Sequence, residues 1–511
     1  MDLKVLKQDL AYENTACKQT AEQSIDLDVV IPDYMPRISR LLKCKATPKI
    51  ASNGINGQTL LTEGNISILI FYATPDEEIC SYEYNLPLSK SFEIGDNCSD
   101  GIAVCMAREE YLNCRLVDEN KVELHGAIGI TAKIINRKIT PVVADVDGCG
   151  VVVNRGVAPA TSPVGLCEKF LNIEEELQLG NGQPSIRNIL RYEACAGNTE
   201  CKIISDKIVV KGDIKVFVLY CGEQTAAPQV LRCTVPYSQI IDIDGINDTC
   251  ECESSVDIVR LEVKPHTSIS GETRSVSFAA KIKFLVTATC NNDVAVVYDA
   301  FSTKYETEIV TDAVNFNKIF KTFNEHFVAK NSIDAGGNSI GTVIDLWCDP
   351  QVISNRIFGE DVVVSGNMLI CVLGYDLENK PCYFERNIDF EYKHALNGTT
   401  ENMKCSASVS PVTVTYTILN ADKLEVCAEL LINCTVNNCM KIPVLTDLKV
   451  KEDNLKQTLC GGAMIVYFAD SGEQLWDIAR RYNSFPDEIA QINLLDSNAV
   501  NSATPLIIPV K

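Results

Sequence analysis

Short stretches of this chain alternate between apolar and polar residues, with the two-residue period of a strand that is buried on one face. In the stretch GNISILIFY, Ile66, Ile68 and Ile70 fall on one face, and polar residues begin the other. Similar stretches return as GDIKVFVLY at 212–220 and, more loosely, as GNMLICVLGY at 366–375. The pattern predicts a half-solvated strand at three places along the chain.

These stretches mark an internal repeat. Gly64 and Gly212 are 148 positions apart (212 minus 64), and Pro36 and Pro184 are separated by the same step. Gly366 follows Gly212 by 154 positions (366 minus 212). Solenoid units have roughly 20 to 50 residues, so a period of about 150 makes each copy large enough to bury its own core. The chain therefore contains three related domains.

Further strand-like segments and polar turns follow each glycine at matched distances. Because short strands separated by turn residues are typical of mainly β domains, we predict three tandem β-sandwich-like repeat domains followed by a small βααβ domain. The predicted boundaries are an N-terminal segment 1–27, repeats at 28–150, 176–300 and 328–446, a linker 447–462 and a C-terminal domain 463–511. Residues 151–175 and 301–327 are predicted to join the copies.

The C-terminal domain changes to a strand, helix, helix, strand pattern. The apolar residues of its first predicted helix have the i, i+3, i+4 and i+7 spacing of a buried face, at Leu475, Ile478, Ala479 and Tyr482. Trp476 lies about 100° around the helix from Leu475. An aromatic side chain in this position either packs at the edge of the core or contacts a partner, and the sequence leaves both open.

Two capping boxes are predicted to start these helices. Ser471 with Gln474 precedes the first helix, and Ser484 with Asp487 precedes the second. In such a box the first side chain bonds a backbone N–H of the opening turn, and the fourth side chain bonds back to the first residue.

The composition adds a strong negative charge. The 511 residues include 46 Lys and Arg against 68 Asp and Glu, for a formal net charge of −22. Because such a chain repels phosphates and anionic lipids, we expect neither nucleic acid nor a membrane among its partners. The N-terminus has no signal-peptide pattern and no apolar run reaches the thickness of a bilayer, so we expect the protein to stay in the cytoplasm.

The chain has 23 cysteines, none in a Cys-x-x-Cys motif. Most lie in apolar strands, and in a reducing compartment such side chains usually serve as small buried hydrophobic groups. The pairs Cys250/Cys252 and Cys434/Cys439 lack the spacing of a zinc site. We therefore expect neither a metal ion nor a cofactor.

The tail resembles a LysM domain in the stretch YFADSGEQLWDIARRYNSFPDEIAQIN, followed by LIIPV. Domains of this family usually bind N-acetylglucosamine polymers in a groove between the loop before the first helix and the loop after the second. Carried over by that resemblance, the glycan-binding residues are Asp470, Ser471, Gly472, Glu473, Leu494, Leu495, Asp496, Ser497 and Asn498.

The repeats resemble the SPOCS domains of spore-forming Firmicutes. The likeness lies in VVIPDYMPRISRLL at 29–42, in the glycine strand and in the Lys-x-Glu-Leu segment that follows. Three such domains followed by a LysM domain are similar to a family of clostridial spore-coat morphogenetic proteins made in the mother cell. In that family the LysM domain contacts the ATPase that polymerises as the basal layer of the coat.

The resemblance implies a non-enzymatic protein that tethers or recruits coat proteins at the forespore surface, in the mother-cell cytoplasm. Ile465 and Trp476 are the residues that we expect to contact the basal-layer ATPase and other coat proteins. An alternative is a protein that binds peptidoglycan or cortex through N-acetylglucosamine glycans. Catalysis is not expected, because the Gly-x-Ser-x-Gly match at Ser339 is not followed by the strand, elbow and helix of a hydrolase nucleophile.

Overall fold

The computed structural model describes residues 3–98, 100–223, 227–268, 271–337, 339–398, 402–456, 464–495, 499–500 and 502–509. Strands make up most of these residues, which confirms the prediction of a mainly β protein with a small βααβ domain at its end.

Within the described residues the strands form three modules of six strands each and one C-terminal module. Module 1 contains β1 (Lys4–Val30), β2 (Arg40–Asn56), β3 (Thr59–Ala73), β4 (Ile79–Glu93), a 3-10 turn (Asp96–Cys98), β5 (Ile102–Asp118) and β6 (Lys121–Asp147). Module 2 contains β7 (Val151–Gln178), β8 (Ile186–Ile204), β9 (Lys207–Gly222), β10 (Gln229–Asp242), β11 (Cys250–His266) and β12 (Ser275–Ser302). Module 3 contains β13 (Tyr305–Asp334), β14 (Ile340–Phe358), β15 (Asp361–Asp376), β16 (Pro381–Ala395), β17 (Met403–Asn420) and β18 (Lys423–Leu455). The C-terminal module contains β19 (Met464–Ala469), α1 (Leu475–Tyr482), α2 (Pro486–Ile492) and β20 (Thr504–Pro509).

Every module repeats one antiparallel strand order. In module 1 one sheet runs β1-β6-β5 and the other β2-β3-β4; modules 2 and 3 have β7-β12-β11 with β8-β9-β10, and β13-β18-β17 with β14-β15-β16. The two sheets of a module enclose one core. In module 1, Ile25 and Leu124 from one sheet pack with Leu60 and Ile68 from the other. The sequence repeat is therefore a repeat of a six-stranded sandwich.

The long first strands correct the predicted boundaries. The segments predicted as an N-terminal extension and as joins lie mainly in β1, β7 and β13, each paired along its length with the last strand of its own module. The predicted linker 447–462 is also corrected, because β18 continues to Leu455; residues 457–463 lie outside the described residues. The first strands β1, β7 and β13 lie at sheet edges and have many exposed side chains, so their sequences lack the apolar alternation of an inner strand.

The repeated glycine lies where two strands come close. A Cβ added to Gly64 would overlap the carbonyl oxygen of Lys49, and one added to Gly366 would overlap that of Gln351. In both modules the neighbouring strand shifts register beside the glycine, as at a β-bulge. The position therefore excludes every side chain.

The repeated tyrosine is bonded to the start of the sandwich in modules 1 and 2. The hydroxyl of Tyr72 donates a hydrogen bond to the carbonyl oxygen of Pro36 at 3.2 Å, and Tyr220 donates to Pro184 at 3.3 Å. In module 3 the equivalent register position is Gly374, where the backbone of β14 leaves no room for a side chain. The third copy thus replaces this tyrosine rather than shifting it by one residue.

The three modules share an apolar core around a pseudo-threefold axis. Val143, Val297 and Leu445, which are equivalent positions of the last strand in each module, pack together and are each 0% exposed. Phe71, Leu219 and Leu373 belong to a second cluster that the three modules share. The spacings of this second set are the same 148 and 154 positions that relate the glycines (71 to 219, and 219 to 373). Equivalent residues therefore pack against their own copies.

A buried ion pair joins modules 2 and 3 beside this second cluster. The Nε of Arg191 lies 2.8 Å from Oδ2 of Asp345, and the two side chains are 11% and 3% exposed. The guanidinium also lies over the ring of Trp347, at 5.0 Å from its centroid. Burial disfavours the charge of Arg191, but the carboxylates of Asp345 and Glu193 raise its pKa above the ordinary value.

Module 1 is joined to module 3 by further ion pairs. Lys43 Nζ lies 2.7 Å from a carboxylate oxygen of Glu385, and Lys45 Nζ lies 2.7 Å from one of Asp349. All three modules are therefore linked by charged side chains as well as by the axial core.

We predict that Asp345→Ala destabilises the chain by about 3 to 5 kcal/mol, because it leaves the Arg191 guanidinium buried without its main partner. A lower midpoint in calorimetric thermal unfolding would show this. Glu200→Ala, which removes an exposed ion pair with Lys202, is the matched control and should leave the midpoint unchanged. Equal midpoints for the two variants would contradict the role of the buried pair.

Candidate functional site

The C-terminal module is built on a two-stranded antiparallel sheet, with β19 paired to β20 from Met464 opposite Pro509 to Ala469 opposite Thr504. The predicted apolar face of the first helix is confirmed. Its members Leu475, Ile478 and Ala479 are each 0% exposed and pack with the buried residues Ile489, Val500, Leu506 and Ile508.

Both helices of this module begin without the predicted capping boxes. Gln474 and Phe485 occupy the N-cap positions of α1 and α2, and among the described contacts neither has a side-chain capping hydrogen bond. The hydroxyl of Ser484 instead donates to the carbonyl oxygen of Pro509 at 2.7 Å. Ser484 therefore fastens the last strand to the start of α2, whose proline at the first turn needs no N–H partner.

Trp476 lies at an interface within the chain. Its indole N–H donates to Oδ2 of Asp299 at 2.9 Å, and Arg480 donates to the same oxygen at 2.7 Å. Its ring meets that of Phe301 edge to face, with centroids 5.0 Å apart, and Phe301 is 1% exposed. The C-terminal module is thus docked on the end of β12 in module 2.

Lys456 connects the end of module 3 to this interface. Its ammonium donates to the carbonyl oxygen of Ser302 at 2.8 Å and to the side-chain oxygen of Asn483 at 3.1 Å. Burial lowers the pKa of Lys456, and the nearby charge of Arg480 lowers it further. The Lys456 side chain therefore bridges module 2 and the C-terminal end of α1.

The first of the two loops that the LysM resemblance assigns to glycan binding, Asp470–Glu473, is bonded to Val500, which follows the second loop. The backbone N–H of Gly472 donates to the carbonyl oxygen of Val500 at 2.7 Å. The backbone N–H of Val500 donates to the carbonyl oxygen of Glu473 at 2.9 Å. Leu494 is 89% exposed, and Leu495 is partly buried. Asp496, Ser497 and Asn498 lie outside the described residues.

The carboxylate of Glu473 is held inside its own loop. It accepts hydrogen bonds from the backbone N–H of Asp470 at 3.0 Å and from the hydroxyl of Tyr467 at 2.8 Å. These donors hold the pKa of Glu473 below its usual value. The ionised side chain of Glu473 therefore holds the loop in place.

Ile465 faces the interior of the C-terminal module, opposite Ile508 in the sheet. The other face of β19 carries an apolar strip, formed by Met464, Val466 and Phe468, which are 65%, 62% and 76% exposed. Sequence reasoning missed this strip. A signal was present, since every residue of the strand MIVYFA is apolar or aromatic, but such a strand is equally typical of one buried on both faces.

A large cleft, with a volume of about 1890 Å³, is lined mainly by modules 2 and 3 and also by Glu13, Thr15 and Lys49 of module 1. Hydroxyl and amide side chains dominate its walls, among them Thr199, Ser254, Asn324, Ser406 and Asn433. Among the described residues, no three His, Cys, Asp or Glu side chains come together as a metal site. Neither helix of the described part has the length and apolar character needed to cross a bilayer.

Most described cysteines outside the C-terminal module are free thiols that are buried or partly buried; Cys195 is exposed. Cys250 and Cys290, however, are joined by a disulfide between β11 and β12. This pair therefore departs from the role of small buried hydrophobic group that is usual for such side chains.

A comparison with protein families finds a match in two of the three repeats. The family model described as "SipL, SPOCS domain" matches residues 37–117 and 185–265. These segments correspond to β2–β5 of module 1 and β8–β11 of module 2. The matched family indicates a sporulation-related role in assembly of the spore coat. Neither a curated protein nor a solved structure matches the chain.

We predict that Asp299→Ala releases the C-terminal module from module 2, because it removes the acceptor shared by Trp476 and Arg480. The chain has two tryptophans, so a Trp347→Phe background leaves Trp476 as the sole indole reporter. Its fluorescence should shift to the red and become more accessible to acrylamide. Asp293→Ala, at an exposed position of the same strand, is the control. Unchanged emission in the Asp299 variant would show that this contact does not hold the module.

Proposed function

We propose that this chain is a non-enzymatic assembly protein of the spore coat, which tethers or recruits other coat proteins at the forespore surface. The observation that carries the proposal is the SPOCS match to equivalent strands of modules 1 and 2. Module 3 has the same strand order, which supports three SPOCS domains in all. The shared axial core supports a scaffold role, because it fixes three sandwiches relative to one another.

Within this proposal the C-terminal module is a LysM domain that binds the ATPase of the coat's basal layer. Its βααβ order supports that assignment. Ile465 and Trp476 stay the predicted contact residues. Since Trp476 is bonded to Asp299, a partner that uses this face must replace module 2 there. The strip of Met464, Val466 and Phe468 is a second surface that a partner can reach without such exchange.

The same proposal places the protein in the mother-cell cytoplasm, at the forespore surface. The net charge of −22 fits a protein whose partners are other proteins rather than nucleic acid or an anionic membrane. Neither a metal ion nor a cofactor forms part of the proposal.

One observation favours a second candidate function, the binding of peptidoglycan or cortex glycans. The loop Asp470–Glu473 is hydrogen-bonded to Val500, two residues after the second loop that would form a LysM glycan groove, so the first loop lies beside the C-terminal flank of the second. The two functions predict different ligands for one module and can be separated directly.

We predict that the full-length protein captures the purified basal-layer ATPase, and that Trp476→Glu weakens this capture at least tenfold, because a charge replaces an aromatic anchor. Asp299→Ala should keep or strengthen capture, since it frees Trp476. Binding measured by biolayer interferometry, with folding checked by circular dichroism, tests both variants. Asp477→Ala, at the exposed neighbour on α1, is the matched control.

Three results would change this assignment. Loss of capture by Phe468→Glu but not by Trp476→Glu would move the contact to the exposed strip. Binding to insoluble peptidoglycan without binding to the ATPase would favour the second function. Capture of neither ligand would contradict both.

A further inference from the structure

Two pairs of thiols lie where the two sheets of a module meet. In module 1, β2 of one sheet runs beside β5 of the other, and Cys44 of β2 and Cys114 of β5 pack in the same core and interact through their side chains. In module 2, Cys201 of β8 and Cys252 of β11 pack in the core in the same way, and the side chains at the equivalent positions of module 3, Asn355 and Cys405, are in contact at 3.9 Å. All four are free thiols in the structure.

We call the line along which the two sheets of a module meet, β2 beside β5 in module 1 and β8 beside β11 in module 2, the inter-sheet seam. The two thiol pairs occupy opposite ends of this seam. In module 1 the side-chain amide of Asn53 donates to the carbonyl oxygen of Ala103 at 3.4 Å, which fixes β2 antiparallel to β5. By the 148-residue step, Cys201 is the counterpart of Asn53 (201 minus 53). The thiol pairs therefore arose at separate positions of the same inter-sheet seam, rather than by copying one pair.

We propose that Cys44–Cys114 and Cys201–Cys252 are oxidation sites, at which a two-electron oxidant forms a disulfide that joins the two sheets of a module. Each pair connects strands that are far apart in sequence and belong to different sheets. The existing Cys250–Cys290 disulfide, in contrast, links neighbours within one sheet.

The surroundings of the first pair favour the reaction. The hydrogen bond from Cys44 lowers the pKa of Cys114 to about 7, against the effect of burial, and the ammonium of Lys43 lowers it further. Cys114 is partly exposed, whereas Cys44 is 1% exposed. The same hydrogen bond, together with burial, raises the pKa of Cys44. Cys114 is therefore the accessible thiolate, and Cys44 is the protected thiol beside it.

With a peroxide as the oxidant, the chemistry proceeds in two balanced steps. The Cys114 thiolate attacks one peroxide oxygen, the O–O bond breaks, and hydroxide leaves, so that Cys114 becomes a sulfenic acid. The Cys44 sulfur then attacks the Cys114 sulfur, the S–O bond breaks, and the hydroxyl leaves as water with the thiol proton. Two electrons pass from the two sulfurs to the peroxide, which is reduced to one water and one hydroxide; the hydroxide takes up the proton that the Cys114 thiol released on ionising and becomes the second water.

The disulfide at Cys44 would restrain a strand that also holds the modules together. The neighbouring Lys43 and Lys45 of β2 form the ion pairs to Glu385 and Asp349 in module 3. The cross-link closes a long loop, since its ends are 70 positions apart (114 minus 44). Closing such a loop restricts the unfolded chain, so oxidation should stabilise the assembled state.

Module 3 offers a contrast within the same chain. Cys405 on β17 is at the position equivalent to Cys252, and its sulfur faces the side-chain oxygen of Asn355 at 3.9 Å. Cys105 lies on the same strand as Cys114, and its sulfur accepts a hydrogen bond from the hydroxyl of Thr62 at 3.3 Å. Neither contact brings a second sulfur across the seam.

Peptide mapping of the oxidised full-length protein tests the proposal. The reduced protein is treated with hydrogen peroxide, unfolded in acid, alkylated, digested without reductant and analysed by mass spectrometry. We expect linked peptides for Cys44–Cys114 and for Cys201–Cys252, and a rise of about 5 °C in the unfolding midpoint over the reduced protein. Cys114→Ser should remove the first link, whereas Cys105→Ser should retain it.

Two outcomes would overturn the proposal. One is full alkylation of both Cys44 and Cys114 after oxidation, and the other is their linkage to different cysteines. The linked peptide is read from the unsubstituted protein, so a variant that fails to fold does not decide the result. Neither outcome bears on binding to the basal-layer ATPase, and the two proposals therefore fail independently.

Discussion

The apolar contact of three equivalent strands around one axis is the interaction on which the rest of the molecule depends. Val143, Val297 and Leu445 reach it only because the last strand of each module continues well past its own sandwich, and its first strand must lengthen with it to satisfy the exposed backbone groups. The shared core in turn sets the spacing between sandwiches, the cleft that all three modules line, and the strand end on which the C-terminal module docks.

A single chain can place different charged residues at equivalent positions around this axis, which three identical subunits cannot do. Lys43, Arg191 and Asp345 are equivalent positions in the three repeats, related by steps of 148 and 154 residues. Three copies of any one of them would bring like charges together in a poorly solvated place, which is strongly unfavourable. Because the copies are covalently joined, they can diverge, and Arg191 of one repeat is neutralised by Asp345 of the next. The divergence of the third repeat is therefore partly a requirement of packing.

The sequence predicted the features that depend on local geometry. Gly64 recurs because a bulged neighbour strand excludes a Cβ, and Tyr72 recurs because its hydroxyl donates to a proline carbonyl. Both residues therefore reveal the repeat in the sequence. The sequence predicts an N-terminal extension and linkers where the long edge strands lie, since the outer faces of these strands are solvated and do not alternate clearly. The docking of Trp476 could not be predicted either. Its partners Asp299 and Phe301 are some 175 residues away in sequence (476 minus 301), and their contact exists only after the three modules assemble.

The docked C-terminal module sets an energetic condition on any partner that uses the same face. An edge-to-face aromatic pair contributes about 1 kcal/mol, and a hydrogen bond to a carboxylate about 2 kcal/mol, while the half-exposed Arg480–Asp299 pair adds little. A partner that displaces these docking contacts therefore loses on the order of 3 kcal/mol of binding free energy, which lowers its apparent affinity roughly a hundredfold. A partner on the face formed by Met464, Val466 and Phe468 bears no such loss, because that face is already open. The docking contact therefore favours partners of the open face, unless another event first releases the module.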